Sequence, residues 1–179
     1  MKHEPIEPSA SRRGNRAPRR IGILAWPTVS AAAVTLAVVS ACGGSDDPAA
    51  QQAALVEQGR QIFRFDTFGD EAQWTDALRM HEVISAAVDP ATALSVGLKV
   101  DMDALPAAVV EGIRDGSVDL RSPATTVALL KLNAVVGIQG TVETVNGADK
   151  LTHVGITCAL CHSTVDNAFA PGIGKRLDG

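Results

Sequence analysis

Thr157-Cys158-Ala159-Leu160-Cys161-His162 sets two thiols three positions apart and an imidazole directly after the second. The spelling is C-x-x-C-H, the pattern that attaches a c-type haem: two sulfurs for the porphyrin edge, then a ring nitrogen for its iron. A single helical turn brings both thiols to one edge of a ring and leaves His162 able to point beneath it. Thr157 stands where it can cap that turn. Two other chemistries use such thiols. A redox dithiol needs a thioredoxin-like βαβ setting, which the flanking residues do not spell. A zinc site would recruit His153 and His81 beside Cys158 and Cys161, at a spacing that fits no familiar zinc pattern and leaves His162 idle.

Upstream of the motif, Val135 to Val145 and Lys150 to Thr157 read as two strands joined around Asn146-Gly147, a strong hairpin signal. The second strand runs straight into Cys158. Further back, Trp74, Ala77, Leu78, His81, Ile84 and Val88 share one face of a helix expected from Glu71 to Val88, ended by Asp89-Pro90. Asp103 is placed to cap a helix from Ala104 to Arg114. Ser122-Pro123 opens another, from Ala124 to Leu132, with a hydroxyl at the cap and proline in the first turn. The acidic group Asp66, Asp70 and Glu71 is expected in a solvated loop with a bias toward a helix N-terminus.

The other end of the chain concerns export. Lys2, Arg12, Arg13, Arg16, Arg19 and Arg20 precede an uncharged run from Ile21 to Ser45 with an apolar, small-residue-rich stretch at Ala31–Ala41, the layout of a secretory signal. Ser40-Ala41 before Cys42 resembles a lipobox, so residues 1–41 are expected to be removed and Cys42 to be acylated. A retained membrane-spanning anchor is the other outcome, and both tether the protein. Neither arginine pair is followed by the apolar pair of a twin-arginine signal, and general secretion is the expected route. All three cysteines then have a fate: Cys42 takes lipid, and Cys158 and Cys161 take haem. Residues 42–52 are a polar tether, and 53–179 are one domain. The chain has 16 Lys+Arg against 20 Asp+Glu, net −4, and six of those basic residues lie in the signal. The remaining surface is more acidic still, which excludes a nucleic-acid-binding role and favours a basic protein partner.

Gly59-Arg60-Gln61-Ile62-Phe63 resembles the first helix of class I cytochromes c, where a small residue and an aromatic pack on the C-terminal helix. Leu55 shares its spacing. Gly174-Lys175-Arg176-Leu177-Asp178-Gly179 is similar to the G-P-x-L-x-G loop that follows the haem motif in that family, with Lys175 in place of the proline whose carbonyl orients the ligating histidine. Pro171 stands slightly earlier, which leaves open the carbonyl used for His162. The runs Arg64–Glu71, Trp74, Leu78–Glu82 and Val154–His162 together resemble a group of exported bacterial c-type cytochromes. The resemblance implies a mainly α, cytochrome c-like haem domain, with a helical segment and a β-hairpin inserted between the first helix and the motif. It also implies a chain truncated at its C-terminus, since the family's distal methionine lies well beyond the motif. Within the chain only Met80, Met102, His81 and His153 are candidates for a sixth ligand, and each has an ordinary packing or surface reading.

The resemblance therefore implies one covalent haem c, held by Cys158 and Cys161 with His162 as proximal iron ligand. The expected role is electron transfer to a protein partner in the bacterial envelope, periplasmic and membrane-anchored through Cys42, rather than enzymatic turnover. Two alternatives stay open: a peroxidase-like haem enzyme or gas sensor with an open sixth position, for which His81 is the nominee beside the open face, and a haem subunit relaying electrons for an associated dehydrogenase.

Overall fold

The computed structural model describes residues 47–179. The expected signal segment 1–41, Cys42 and the beginning of the expected tether lie outside the described residues. Helix α1 (Pro48–Phe65) starts inside the stretch read as tether: Asp47 accepts the amide of Ala49 at 2.9 Å and Pro48 occupies the first turn, so local capping suffices to begin it. None of its residues is buried. Leu55 and Ile62, on the face expected to pack, are 62% and 49% exposed. Its last turn is engaged: Phe63 lies against Val136, Ala159 and Val165, and Arg64 reaches Asp178.

The helix expected over 71–88 is two pieces. A π-helix, Ala72–Ala77, is followed by a break at Arg79, which has φ 53°, before α2 (Met80–Ala87). The wider π turn and the left-handed residue shift the helical phase, so Leu78 ends 49% exposed while Thr75 is buried. Asp89-Pro90, read as a stop, also starts a helix. Asp89 accepts the amide of Thr92 at 2.8 Å and opens α3 (Pro90–Ser95). Strand β1 (Val100–Asp101) leads to a 3₁₀ turn, Met102–Ala104, capped by Asp101 rather than Asp103, and α4 (Ala107–Asp115) begins only after Pro106. In α5 (Pro123–Lys131) proline sits in the first turn as expected, but the Ser122 side chain makes no capping bond.

Strands β2 (Ile138–Val145) and β3 (Ala148–Ile156) form the expected antiparallel hairpin. Asn146 and Gly147 both take positive φ, 53° and 81°, the combination a type I′ turn demands. Beyond the short helix α6 (Ala159–His162), strand β4 (Ser163–Val165) pairs antiparallel with β6 (Arg176–Asp178), and β5 (Ile173–Gly174) pairs parallel with β1. The expectation of a mainly α, cytochrome c-like domain with one hairpin is thus corrected: the fold is mixed α/β, with three two-stranded sheets. Two of these rest on strands of only two or three residues, too short to show any period-2 pattern. The main core lies between α2, α5 and the hairpin, around Ile84, Val127, Leu130, Leu151, Val154 and Ile173. Leu130 and Leu151 are almost wholly sealed.

Candidate functional site

Strand β3 delivers the chain to the motif and is supported on both sides. Its inner partner is β2; its other side is held by the segment that follows α1. Thr67 bridges Thr157, and Phe68 donates its amide to the Ile156 carbonyl at 3.0 Å. Asp70 accepts the Ile156 amide at 3.0 Å on one oxygen and the Trp74 indole N–H at 2.7 Å on the other. The hydroxyl of Thr75, in the π-helix, accepts the Val154 amide at 3.0 Å. Asp70 and Glu71 are therefore not solvated loop acids. Glu71 takes the Thr67 hydroxyl, and a Cβ on Gly155 would press on Thr67 and Glu71. This bracing escaped the sequence reading, although Asp70 and Trp74 stand at the i, i+4 spacing that lets side chains meet.

At the motif the chain closes one helical turn. The Leu160 amide bonds to the Thr157 carbonyl at 3.1 Å and the His162 amide to the Cys158 carbonyl at 3.2 Å. Thr157 does not cap the turn with its side chain: its hydroxyl is buried and finds no partner among the described residues. The turn is seated by Gly137, whose φ is 80° and whose absent Cβ makes room for the Leu160 backbone. Ala159, fully buried, fills the inward side against Val136 and Val165. Cys158 is half-buried, Cys161 is exposed, both thiols are free, and His162 is exposed.

The segment after the motif folds back over it. The Gly179 amide reaches the His162 carbonyl at 2.8 Å, and β6 lies along β4. The Asp178 carboxylate gathers this end of the chain, accepting the Ser163 hydroxyl and Arg176 Nε at 2.8 Å each and Arg64 Nε, from α1, at 2.7 Å. Burial would raise its pKa, but hydrogen bonds from Arg64 and Ser163, with the charges of Arg176 and Arg64, outweigh burial and hold it below the usual carboxylate value. The Arg176 guanidinium is nearly sealed from solvent and lies over the Phe65 ring. Burial pulls its pKa down against the stabilising charges of Asp178 and Asp101.

The sequence-predicted residues separate accordingly. Cys158, Cys161 and His162 are brought together on α6. Cys161 and His162 line an open concavity of about 330 Å³ with Thr164, Leu177 and Gly179. His153 is exposed on β3; Met80 and His81 open α2, half-buried, and Met102 sits in the 3₁₀ turn. Among the described residues no three His, Cys, Asp or Glu side chains converge as metal ligands, so the alternative zinc set is not assembled. The Lys175 carbonyl accepts the Asp166 amide at 3.0 Å, and the exposed His162 ring has no hydrogen-bond partner among the described residues. Cys42 lies outside them, and no described helix is long and apolar enough to cross a membrane.

In comparisons with known protein families, curated proteins and solved structures, the chain matches none of them.

Proposed function

We propose that this chain is a c-type haem protein of the bacterial cell envelope that passes single electrons to and from a protein partner, held at a membrane by lipid on Cys42. The observation that carries the reading is the α6 turn itself. It carries two free thiols, one half-buried and one exposed, beside an exposed imidazole, while Ala159 is buried. These residues fit the group. Thioether formation needs accessible thiols, and the C-x-x-C-H spacing places them one turn apart. Cys158 and Cys161 would hold the porphyrin edge and His162 its iron, and Leu177 supplies apolar wall to the adjoining concavity. When bound, the haem supplies a one-electron couple.

The chain's own work is attachment and exclusion. The brace at Thr67–Thr75 and the seat at Gly137 fix where the thiols emerge, and the fold-back of β6 shields the backbone of His162. The acidic surface suits a basic partner, with an encounter rate that falls as salt rises.

The test is the optical spectrum of the full chain expressed with a c-type maturation system. A pyridine haemochrome typical of two thioethers is expected, reduced to that of one thioether or lost in Cys161→Ala. Colourless protein whose thiols at Cys158 and Cys161 both remain open to alkylation would end the proposal.

A further inference from the structure

Within the main core, α2, α3 and α5 leave a partly enclosed cavity of about 40 Å³. Its walls are aliphatic, with Ile84, Ala93, Leu94, Leu129 and Val135 prominent. Thr126 also lines it, and this hydroxyl is buried without a partner among the described residues. A water would have room there but needs two to four polar partners to be held, and a single hydroxyl offers too few. Dry apolar cavities of a size above a methyl group take up apolar gases, because an atom placed there regains dispersion contacts that the walls otherwise lack.

We propose that this cavity is a binding site for an uncharged apolar molecule of atomic or diatomic size, such as xenon or dioxygen. The volume sets the upper limit: a ring such as benzene needs a cavity of roughly 150 Å³. Leu98 and Lys99 form part of the wall and also border a smaller void shared with Val136, Leu160 and Ser163. The two voids thus share a wall, and the smaller one reaches Leu160 of the thiol-bearing turn. The inference stands on the cavity and the unpaired hydroxyl, and does not depend on haem attachment.

The test titrates the full chain with dissolved xenon and follows methyl resonances by NMR. Saturable shifts confined to methyls around the cavity, including Ala93, Leu94 and Leu129, are expected, and they should vanish in Ala93→Ile, which fills the space. Should that variant fail to fold, Val135→Ile adds one methylene elsewhere in the wall and is expected to weaken binding. Thr126→Val removes the unpaired hydroxyl at nearly constant shape; it should raise the melting temperature and tighten xenon binding. Shifts that do not saturate, that spread evenly over the surface, or that persist unchanged in the filled variants would overturn the assignment.

Discussion

Replacing Asp178 with alanine strikes the one carboxylate that ties α1, β4 and β6 together beside the motif. Three hydrogen bonds disappear, from Ser163, Arg176 and Arg64. They are unequal. The Arg64 and Asp178 side chains are each about a quarter exposed, so that pair contributes about 0.5–1 kcal/mol. The Arg176 side chain is only 3% exposed, and stripping the partner from a buried charge costs about 3–5 kcal/mol. Asp101 still attracts Arg176, which places the expectation at the low end, about 3–4 kcal/mol in total. With a urea slope of roughly 1.5 kcal/mol/M, the unfolding midpoint followed by circular dichroism should fall by about 2–3 M. Asp178→Asn keeps an acceptor oxygen and should lose roughly half as much. The native carboxylate also carries a pH signature. Its folded pKa lies below the ordinary 3.8, so its stabilisation is complete above that value and disappears as pH falls through the folded pKa. The native chain should therefore lose stability below about pH 4 with a steeper slope than Asp178→Asn. A midpoint shift under 0.5 M for the alanine variant, or identical acid slopes, would refute this account of the latch.

Two further substitutions test the support of the turn. Gly137→Ala forces a Cβ into the Leu160 backbone at a left-handed φ; strain of about 1–2 kcal/mol and overpacking of about 1–3 kcal/mol should lower stability by about 2–5 kcal/mol in urea unfolding and shift the amide resonances of Cys158–Ser163. Asp70→Ala leaves the Ile156 amide and the Trp74 indole without acceptors; a loss of about 2–3 kcal/mol is expected, with a change in tryptophan emission that Asp66→Ala does not produce.

The hairpin was legible because its turn is chemistry at two adjacent positions: Asn146 and Gly147 tolerate the positive φ that the turn imposes. The start at Ser122-Pro123 was readable from its proline, whereas the two starts with both a capping acid and a proline were not: Asp47-Pro48 falls in the stretch expected as tether, and Asp89-Pro90 is expected only as a stop. The break at Arg79 was hidden because an arginine in the left-handed region has no sequence signal, and a π turn preserves apolar spacing while moving which residue faces inward. The small sheets were invisible for another reason: Val100 meets Ile173, and Ser163 meets Asp178, pairings decided by tertiary closure rather than by local preference. At the site, the three motif residues were evident from spacing, whereas the mounts beneath them at Gly137 and Asp70 came from contacts remote in sequence, and the cap expected of Thr157 gave way to the actual path of the backbone.

The distances along the chain impose an order on events during folding. The turn that displays the two cysteines closes through bonds between neighbours, so it can form in microseconds and does not wait for the domain. Its scaffold cannot: the Ile156–Asp70 bond spans 86 residues and the Arg64–Asp178 bond 114, and contacts of such separation assemble late. If the chain is exported and modified as proposed, its reactive pair would stand open to modifying enzymes during an interval before residues 176–179 close over the histidine's backbone, and mutations that hasten that closure would shorten the opportunity for modification even while leaving the finished fold intact.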